Sequence, residues 1–146
     1  MSNQSGAARN YYPLSHIEAL HKRLIWLLQE QGAHLDALYY CPHHPAGVVP
    51  ELTVACDCRK PLTGLVERAF KEHPDLNRHQ SFVVGDKTND LGLANRCGAK
   101  CVLVETGFGK HLIESKEHLS FSVDFQAKSV AEAVDWVLTR LSLERA

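Results

Sequence analysis

The sequence predicts an α/β fold in which helices cover both faces of a parallel sheet, giving three layers. Short apolar segments typical of buried strands alternate with segments of helical periodicity, which is the pattern of parallel sheets. With 146 residues, of which 45% are hydrophobic and 23% charged, the chain has the size and composition of a single domain, residues 1–146. Parallel sheets bind ligands at the carboxyl ends of their strands, so we expect the functional residues there.

The first half of the chain is predicted to contain two helices and one strand. Residues 15–18, Ser-His-Ile-Glu, have the pattern of a capping box, and the helical periodicity that follows them ends at Gly32. Residues 35–40 are a strand candidate that leads into Cys41. A second helix is predicted over residues 63–73, because the apolar residues of this segment fall on one face.

The second half is predicted to contain two strands with a helix between them. Residues 81–86 are an apolar segment that ends in Gly-Asp, as a buried strand does where it reaches a ligand site. Thr88 is expected to cap a helix that runs to Cys97 and is stopped by Gly98. Lys100–Val104 is a second buried-type strand.

The two ends of the chain are less regular. A second capping box at residues 129–132 opens a helix to about residue 143, whereas residues 107–109 are expected to form a loop and residues 111–128 to be irregular. Residues 2–6, Ser-Asn-Gln-Ser-Gly, are a polar loop with no strand before it. Three strands are few for a sheet of this kind, so we expect a fold that begins part-way through.

Two close pairs of soft ligands, Cys41 with His43 and Cys56 with Cys58, predict a structural zinc site. Thiolate sulfur and imidazole nitrogen suit Zn²⁺, and four protein ligands fill a tetrahedral site and leave no position for a substrate. We prefer His43 to His44 as the ligand because Cys-x-His mirrors Cys-x-Cys. The alternatives are a chance cluster of reduced cysteines and a disulfide between the pairs.

A basic pair, Arg59 and Lys60, directly follows the last predicted zinc ligand, inside a zinc loop of residues 41–61. A guanidinium group and an ammonium group side by side suit the binding of a phosphate. Fixing them beside a zinc site costs less entropy than fixing them on a mobile surface. Without other context, however, a basic pair is more often a solvated surface feature.

A third element is the pair of carboxylates at Asp86 and Asp90. A carboxylate at the end of a strand, with a second one four residues further on, offers the hard oxygen ligands that Mg²⁺ prefers. Lys87 lies between them and could offset phosphate charge. Because aspartate is also common just before a helix, this motif by itself leaves the magnesium site and a helix start as equal alternatives.

Charge and hydropathy exclude several classes of protein. A net charge of −1 gives no reason to expect binding to nucleic acid or to a membrane. No apolar run approaches the roughly 20 residues of a membrane helix, and the first residues lack the features of a secretory signal. We therefore expect a cytoplasmic protein, in which clustered cysteines are more commonly metal ligands than disulfides.

Residues 2–6, 40–45 and 56–61, with Gly85-Asp86-Lys87 and Thr106-Gly107, together resemble the haloacid dehalogenase (HAD) superfamily of phosphatases. The closer resemblance is to its zinc-containing D-glycero-D-manno-heptose-1,7-bisphosphate 7-phosphatases, and the histidinol-phosphate phosphatases are close relatives of these. The resemblance implies a three-layer Rossmann-like HAD fold, a phosphorylated sugar as substrate, structural Zn²⁺ and catalytic Mg²⁺. It also implies that the full-length protein is a monomer.

The resemblance implies a role for each matching residue. Ser2 and Lys60 would stabilise the transferring phosphoryl group, and Asp86 would bind Mg²⁺. The residues that would contact the substrate are Asn3, Gln4, Ser5, Arg59 and Lys87. The residues that would hold zinc are Cys41, His43, Cys56 and Cys58.

One motif of the family is missing from this sequence. HAD phosphatases use an Asp-x-Asp at the end of their first strand as nucleophile and general acid–base, but no Asp-x-Asp occurs in the 146 residues. We therefore expect the chain to lack the family's first two strands, to expose unpaired sheet edges, and to be inactive alone. Two non-enzymatic interpretations remain, a zinc-stabilised fragment that binds a partner or forms an oligomer, and a nucleic-acid-binding zinc module.

Overall fold

A computed structural model describes residues 1–143 of the chain. The contacts within the chain divide it into two units, Met1–Arg59 and Lys60–Ala146. The expectation of a single domain over residues 1–146 stays a prediction. Among the described residues, no helix is both long enough and apolar enough to cross a membrane.

The first unit contains a two-stranded parallel sheet. Strand β1 (Ser2–Asn3) pairs with β2 (Tyr40–Cys41), with Ser2 opposite Tyr40 and Asn3 opposite Cys41. The expectation of a loop over residues 2–6 is therefore wrong for Ser2 and Asn3, whereas residues 4–6 lie outside any strand or helix. The polar residues form a strand because the backbone of residues 39–41 supplies partners, as when the Ser2 N–H donates to the Tyr39 carbonyl at 3.0 Å.

Helix α1 (Leu14–Glu30) connects these two strands. The capping box predicted at residues 15–18 is not formed, because the helix begins two residues earlier, with Pro13 rather than Ser15 at its N-cap and no side-chain cap. The predicted end at Gly32 is confirmed, since the Gly32 N–H donates to the Gln29 carbonyl at 2.9 Å. Only the end of the strand expected over residues 35–40 is found, as Tyr40–Cys41. Residues 31–37 are exposed and pair with no strand.

The second unit contains a three-stranded parallel sheet in the order β3 (Phe82–Gly85), β4 (Lys100–Val104), β5 (Phe125–Ala127). The helices of this unit are α2 (Gly64–Glu72), α3 (Thr88–Cys97), α4 (Gly109–Glu114) and α5 (Val130–Leu143). Short 3₁₀ turns occur at Pro50–Leu52 in the first unit and at Arg78–Gln80 and Glu117–Ser120 in the second.

Alternation along β4 produces the predicted three layers in this unit. Cys101 and Leu103 are buried in one cluster with Leu91 of α3 and Leu112 of α4. Val102 and Val104, which point to the opposite face, are buried in a second cluster with Ala127 of β5 and Ala133 of α5. Successive side chains of a strand point to opposite faces, so both faces of the central strand are covered by helices.

Two local predictions in this unit are wrong and two are confirmed. Residues 111–128 are not irregular, because they include most of α4, a 3₁₀ turn and β5. Thr88 is the first helical residue rather than the cap, which is Lys87. Gly98 ends α3 in the left-handed conformation, as expected. The helix start predicted at residues 129–132 is also present, with the Glu132 N–H donating to the Ser129 hydroxyl at 3.3 Å, while the Glu132 carboxylate accepts from the Lys128 N–H rather than from that of Ser129.

Candidate functional site

The four predicted zinc ligands lie together in the first unit. The ligand atoms of Cys41, His43, Cys56 and Cys58 are all within 4.8 Å of one another. The Cys41 and Cys56 sulfurs are 3.6 Å apart, and Nδ1 of His43 is 3.8 Å from the Cys41 sulfur and 3.3 Å from the Cys58 sulfur. Tetrahedral ligands around zinc, with Zn–S bonds of about 2.3 Å, are separated by about 3.8 Å. The site therefore has the donors and the dimensions of a four-ligand zinc centre.

His44, the neighbour of His43, is directed away from this cluster. Its Nδ1 accepts a hydrogen bond from the Ala46 N–H at 3.1 Å, and its Nε2 lies 3.0 Å from the Arg9 guanidinium. Both ring nitrogens of His44 are therefore engaged by other groups. All five cysteines of the chain are free thiols, so the disulfide alternative is not what the structure contains.

The pKa values of the three thiols in the cluster shift in different directions. Burial raises the pKa of Cys41, and burial together with hydrogen bonds from Cys41 and Cys56 raises the pKa of Cys58. Burial also acts to raise the pKa of Cys56, but hydrogen bonds with Cys58 and Cys41 lower it overall. Because only the thiolate binds zinc, metal binding here has to displace protons.

Arg59, the last residue of the first unit, is hydrogen-bonded to the backbone of His43, a predicted zinc ligand. Its guanidinium donates to the backbone carbonyl of His43 at 3.4 Å. A hydrogen bond to a ligand-bearing loop reduces the freedom of this long side chain, so less entropy is lost when it binds an anion.

Lys60 is not the solvated cation that the alternative interpretation expected. In the second unit its ammonium nitrogen lies 2.5 Å from Oδ1 of Asp90, and the two side chains are only 13% and 10% exposed. Asp90 therefore acts as the partner of a buried lysine rather than as an open second carboxylate for Mg²⁺. One signal could have suggested this role. Asp90 is a charged residue at the start of the buried stretch of α3.

Asp86 lies where β3 ends, as predicted. Its Oδ2 accepts a hydrogen bond from the Phe108 N–H at 2.9 Å, which joins the loop after β3 to the loop after β4. Its Oδ1 accepts no hydrogen bond from residues 1–143, so one carboxylate oxygen is open to a cation. The ammonium group of Lys87 lies 4.2 Å from the centre of the Phe108 ring, a cation–π contact within the same pair of loops.

Lys60 and Asp86 belong to the same end of the sheet. A side-chain carbon at Gly85 would collide with Asp90, so the carboxylate that holds Lys60 packs directly against the last residue of β3. The ammonium group of Lys60 is thus placed beside the carboxyl end of β3, where Asp86 also lies. A cation and an open carboxylate oxygen at this end of a parallel sheet can bind a phosphate together with a divalent metal ion.

We expect Gly107→Ala to disrupt the Asp86 carboxylate. Gly107 has a φ of +67°, and a side-chain carbon there would collide with Oδ2 of Asp86. Gly98→Ala is the matched control, because Gly98 has a φ of +74° but open space around it. In both variants, backbone strain alone should lower the free energy of unfolding measured by chemical denaturation by about 1–3 kcal/mol. Mg²⁺ affinity measured by titration should fall only in Gly107→Ala. Equal Mg²⁺ affinities would contradict this role of the loop.

Ser2, Asn3, Gln4 and Ser5 are half-buried at the start of the first unit. Their backbone is held in place by pairing, since the Gln4 N–H donates to the carbonyl of Cys41, a predicted zinc ligand, at 2.7 Å. The segment that follows is also tied to the zinc loop, since the N–H groups of Val48 and Val49 both donate to the Ala8 carbonyl, at 2.7 and 3.0 Å.

Comparison with known proteins identifies the family. Residues 57–133, more than half of the chain, match the profile of the HAD-hydrolase-like family. The chain belongs to the HAD-like hydrolases. The zinc cluster in this HAD-like chain lies mostly before the matched region, since only Cys58 of the four ligands falls inside it.

Three relatives of this HAD-like chain are named after the same enzymatic activity. It is 42% identical to D-glycero-D-manno-heptose-1,7-bisphosphate 7-phosphatase of Thermosynechococcus vestitus, over 97% of this chain and 74% of the relative. It is 44% identical to the corresponding β-anomer phosphatase of Pseudomonas putida, over 77% of this chain and 60% of the relative. With the Escherichia coli β-anomer phosphatase it shares 36% identity, over 97% of this chain and 66% of the relative.

Two solved structures share the fold of this HAD-like chain. One is D,D-heptose 1,7-bisphosphate phosphatase from B. bronchiseptica in complex with magnesium and phosphate, with a TM-score of 0.80 and 27% identity over 95% of this chain and 73% of that one. The other is a HAD-like phosphatase from Mesorhizobium loti, with a TM-score of 0.73 and 30% identity over 93% of this chain and 61% of that one. The predicted α/β HAD fold is therefore confirmed.

Proposed function

We propose that this chain supplies the substrate-binding and Mg²⁺-binding part of a phosphatase that removes the 7-phosphate from D-glycero-D-manno-heptose 1,7-bisphosphate. The observation that carries the proposal is the pairing at the end of β3, where Asp90 holds the Lys60 ammonium group beside the strand that presents Asp86. The names of the relatives in T. vestitus and E. coli support the choice of substrate. The magnesium and phosphate in the B. bronchiseptica structure support the choice of metal.

In this proposal each unit contributes its own residues. From the second unit, Asp86 holds Mg²⁺ through its open Oδ1, the Lys60 ammonium group neutralises phosphoryl charge, and Lys87 contacts the substrate. When bound, Mg²⁺ acts as a Lewis acid on phosphoryl oxygens. The residues that bind phosphate or sugar in the first unit are Ser2, Asn3, Gln4, Ser5 and Arg59.

Zinc has a separate role in the proposal. Cys41, His43, Cys56 and Cys58 would hold it as a structural ion, because four protein ligands leave no coordination position for a substrate. A cluster of free thiols of this kind needs a reducing environment, which supports a cytoplasmic location.

The chain lacks the Asp-x-Asp motif that the resemblance gives as nucleophile and general acid–base. Lys60, Arg59 and Ser2 each carry a group that can bind a phosphate oxygen, but none of these residues is an aspartate that can accept a phosphoryl group. We propose that the 146 residues bind the substrate without releasing phosphate. Substrate binding, rather than turnover, is therefore the property that tests the function of this chain.

We expect calorimetric titration to show that Mg²⁺ strengthens the binding of heptose bisphosphate in the native chain by about tenfold or more, because the metal adds charge-assisted contacts. Asp86→Asn should remove this Mg²⁺ dependence, and Asp75→Asn, at an exposed aspartate of the same unit, should keep it. Histidinol phosphate, the substrate of the alternative function, should bind more weakly than heptose bisphosphate.

The same samples distinguish the outcomes. A colorimetric phosphate assay run alongside the titration should detect no release. A Mg²⁺ effect that persists in Asp86→Asn would contradict the assignment of the metal site, and tighter binding of histidinol phosphate would favour the alternative substrate. Sustained phosphate release would show that another group in this chain accepts the phosphoryl group.

A further inference from the structure

Three side chains of the first unit form a short hydrogen-bonded chain that ends on Ser2. The hydroxyl of Tyr12 donates to Oε1 of Gln4 at 3.2 Å. The amide nitrogen of the same Gln4 side chain donates to the hydroxyl oxygen of Ser2 at 3.3 Å. Tyr12 is therefore linked to Ser2 through a single glutamine side chain.

This arrangement turns the Ser2 hydroxyl hydrogen away from Gln4. A glutamine amide offers an acceptor on one side and donors on the other, and its orientation follows from its hydrogen bonds. Because the Tyr12 hydroxyl occupies the oxygen side, the NH₂ side faces Ser2. The Ser2 oxygen then accepts, and its single O–H points elsewhere. Within residues 1–143 that O–H has no acceptor, so it is available to a group from outside the chain.

The position of Tyr12 is fixed by its surroundings. A side-chain carbon at Gly6 would collide with the ring and the hydroxyl of Tyr12, so the ring can pack against this segment only because residue 6 is glycine. On the helix side the ring stacks on His16, with centroids 5.4 Å apart. The turn that brings Tyr12 back to Gly6 is closed by the Tyr11 N–H, which donates to the Gly6 carbonyl at 2.9 Å.

We infer that Tyr12 is a positioning residue for phosphate binding, which acts through Gln4 to keep the Ser2 O–H directed at a phosphoryl oxygen. The inference rests on the proposed function, because it takes a phosphate monoester as the ligand of Ser2. Without the Tyr12 hydroxyl, the Gln4 amide is free to rotate so that its oxygen faces Ser2. That oxygen would then accept the Ser2 hydrogen and withdraw it from the ligand.

The test compares Tyr12→Phe with Tyr11→Phe. Both variants lose one phenol hydroxyl and keep the ring, but Tyr11 is 73% exposed and forms no side-chain hydrogen bond with residues 1–143. Binding of heptose bisphosphate, and separately of inorganic phosphate, is followed by NMR shifts of backbone and side-chain amides in the zinc-loaded chain. We expect about three- to tenfold weaker binding in Tyr12→Phe, native affinity in Tyr11→Phe, and a shifted Gln4 side-chain NH₂ signal only in Tyr12→Phe.

A double-mutant cycle with Ser2→Ala separates positioning from a general structural effect. If Tyr12 acts through the Ser2 hydroxyl, Tyr12→Phe should cause no further loss of affinity when Ser2 is already alanine. An equal loss in both backgrounds, or native affinity in Tyr12→Phe, would overturn the inference and leave the proposed function intact. If the native chain binds neither ligand, the proposed function fails, and the inference fails with it.

Discussion

His43→Gln is expected to remove zinc from the chain, whereas His44→Gln, the same change one residue later, should leave it bound. Nδ1 of His43 lies 3.3 Å from the Cys58 sulfur, inside the cluster, while both ring nitrogens of His44 contact other groups. Loss of one of four ligands should weaken zinc binding by more than the roughly 10–100-fold caused by changes around a metal site. Elemental analysis of the purified variants, with competition against a chelator, measures this directly.

Zinc loss should also loosen the loop that the metal organises. Because the binding energy of a structural zinc is folding energy, hydrogen exchange of residues 41–58 should become faster in His43→Gln. Exchange in Lys100–Val104, the central strand of the second unit, provides an internal reference that should change little. Native zinc content in His43→Gln, or equal loss in both variants, would contradict the ligand assignment.

Asp90→Ala is expected to have the largest effect on the stability of the second unit. The Lys60–Asp90 pair is almost fully buried, so removing the carboxylate leaves an ammonium group in a poorly solvated place. Breaking a buried ion pair in this way costs about 3–5 kcal/mol. Urea denaturation in a Trp26→Phe background leaves Trp136, which stacks on Phe125 of β5, as the fluorescent tryptophan and measures the free energy of unfolding of this unit.

Glu72→Gln is the matched control for this experiment. The Arg68–Glu72 pair has a similar distance, 2.7 Å, but its side chains are 64% and 43% exposed. Exposed pairs of this kind contribute about 1 kcal/mol or less. An equal decrease in the free energy of unfolding in both variants would show that burial does not increase the contribution of the Lys60–Asp90 pair to stability. A stable Asp90→Ala chain would also argue against Asp90 as the group that holds Lys60.

Predictions that depend on local sequence agree well with the structure. The strand Lys100–Val104 is found with its predicted bounds, because the four buried apolar residues that follow Lys100 supply both faces of a central strand. The hydrogen bond by which Ser129 caps α5 forms because its partners, Ser129 and Glu132, are three residues apart. The zinc ligands could be predicted as a set, since each pair is brought together by its own short spacing.

Predictions that depend on distant partners fail or are missing. Ser2–Asn3 is too polar and too short to predict as a strand, and it becomes one only through pairing with Tyr40–Cys41. Phe125–Ala127 has only three residues, so its strand character comes from pairing with β4. The partnership between Lys60 and Asp90 joins residues thirty positions apart, and no local pattern encodes it.

In the proposed function, Lys60 and Asp86 hold a phosphoryl group and Mg²⁺ at the carboxyl end of β3. The most direct measurement is a crystal structure of the zinc-loaded chain soaked with Mg²⁺ and heptose bisphosphate. We expect Mg²⁺ bound to Oδ1 of Asp86, with a phosphoryl oxygen within about 3 Å of the Lys60 ammonium nitrogen. A ligand bound at a different place, with Asp86 and Lys60 in contact with neither metal nor phosphate, would contradict it.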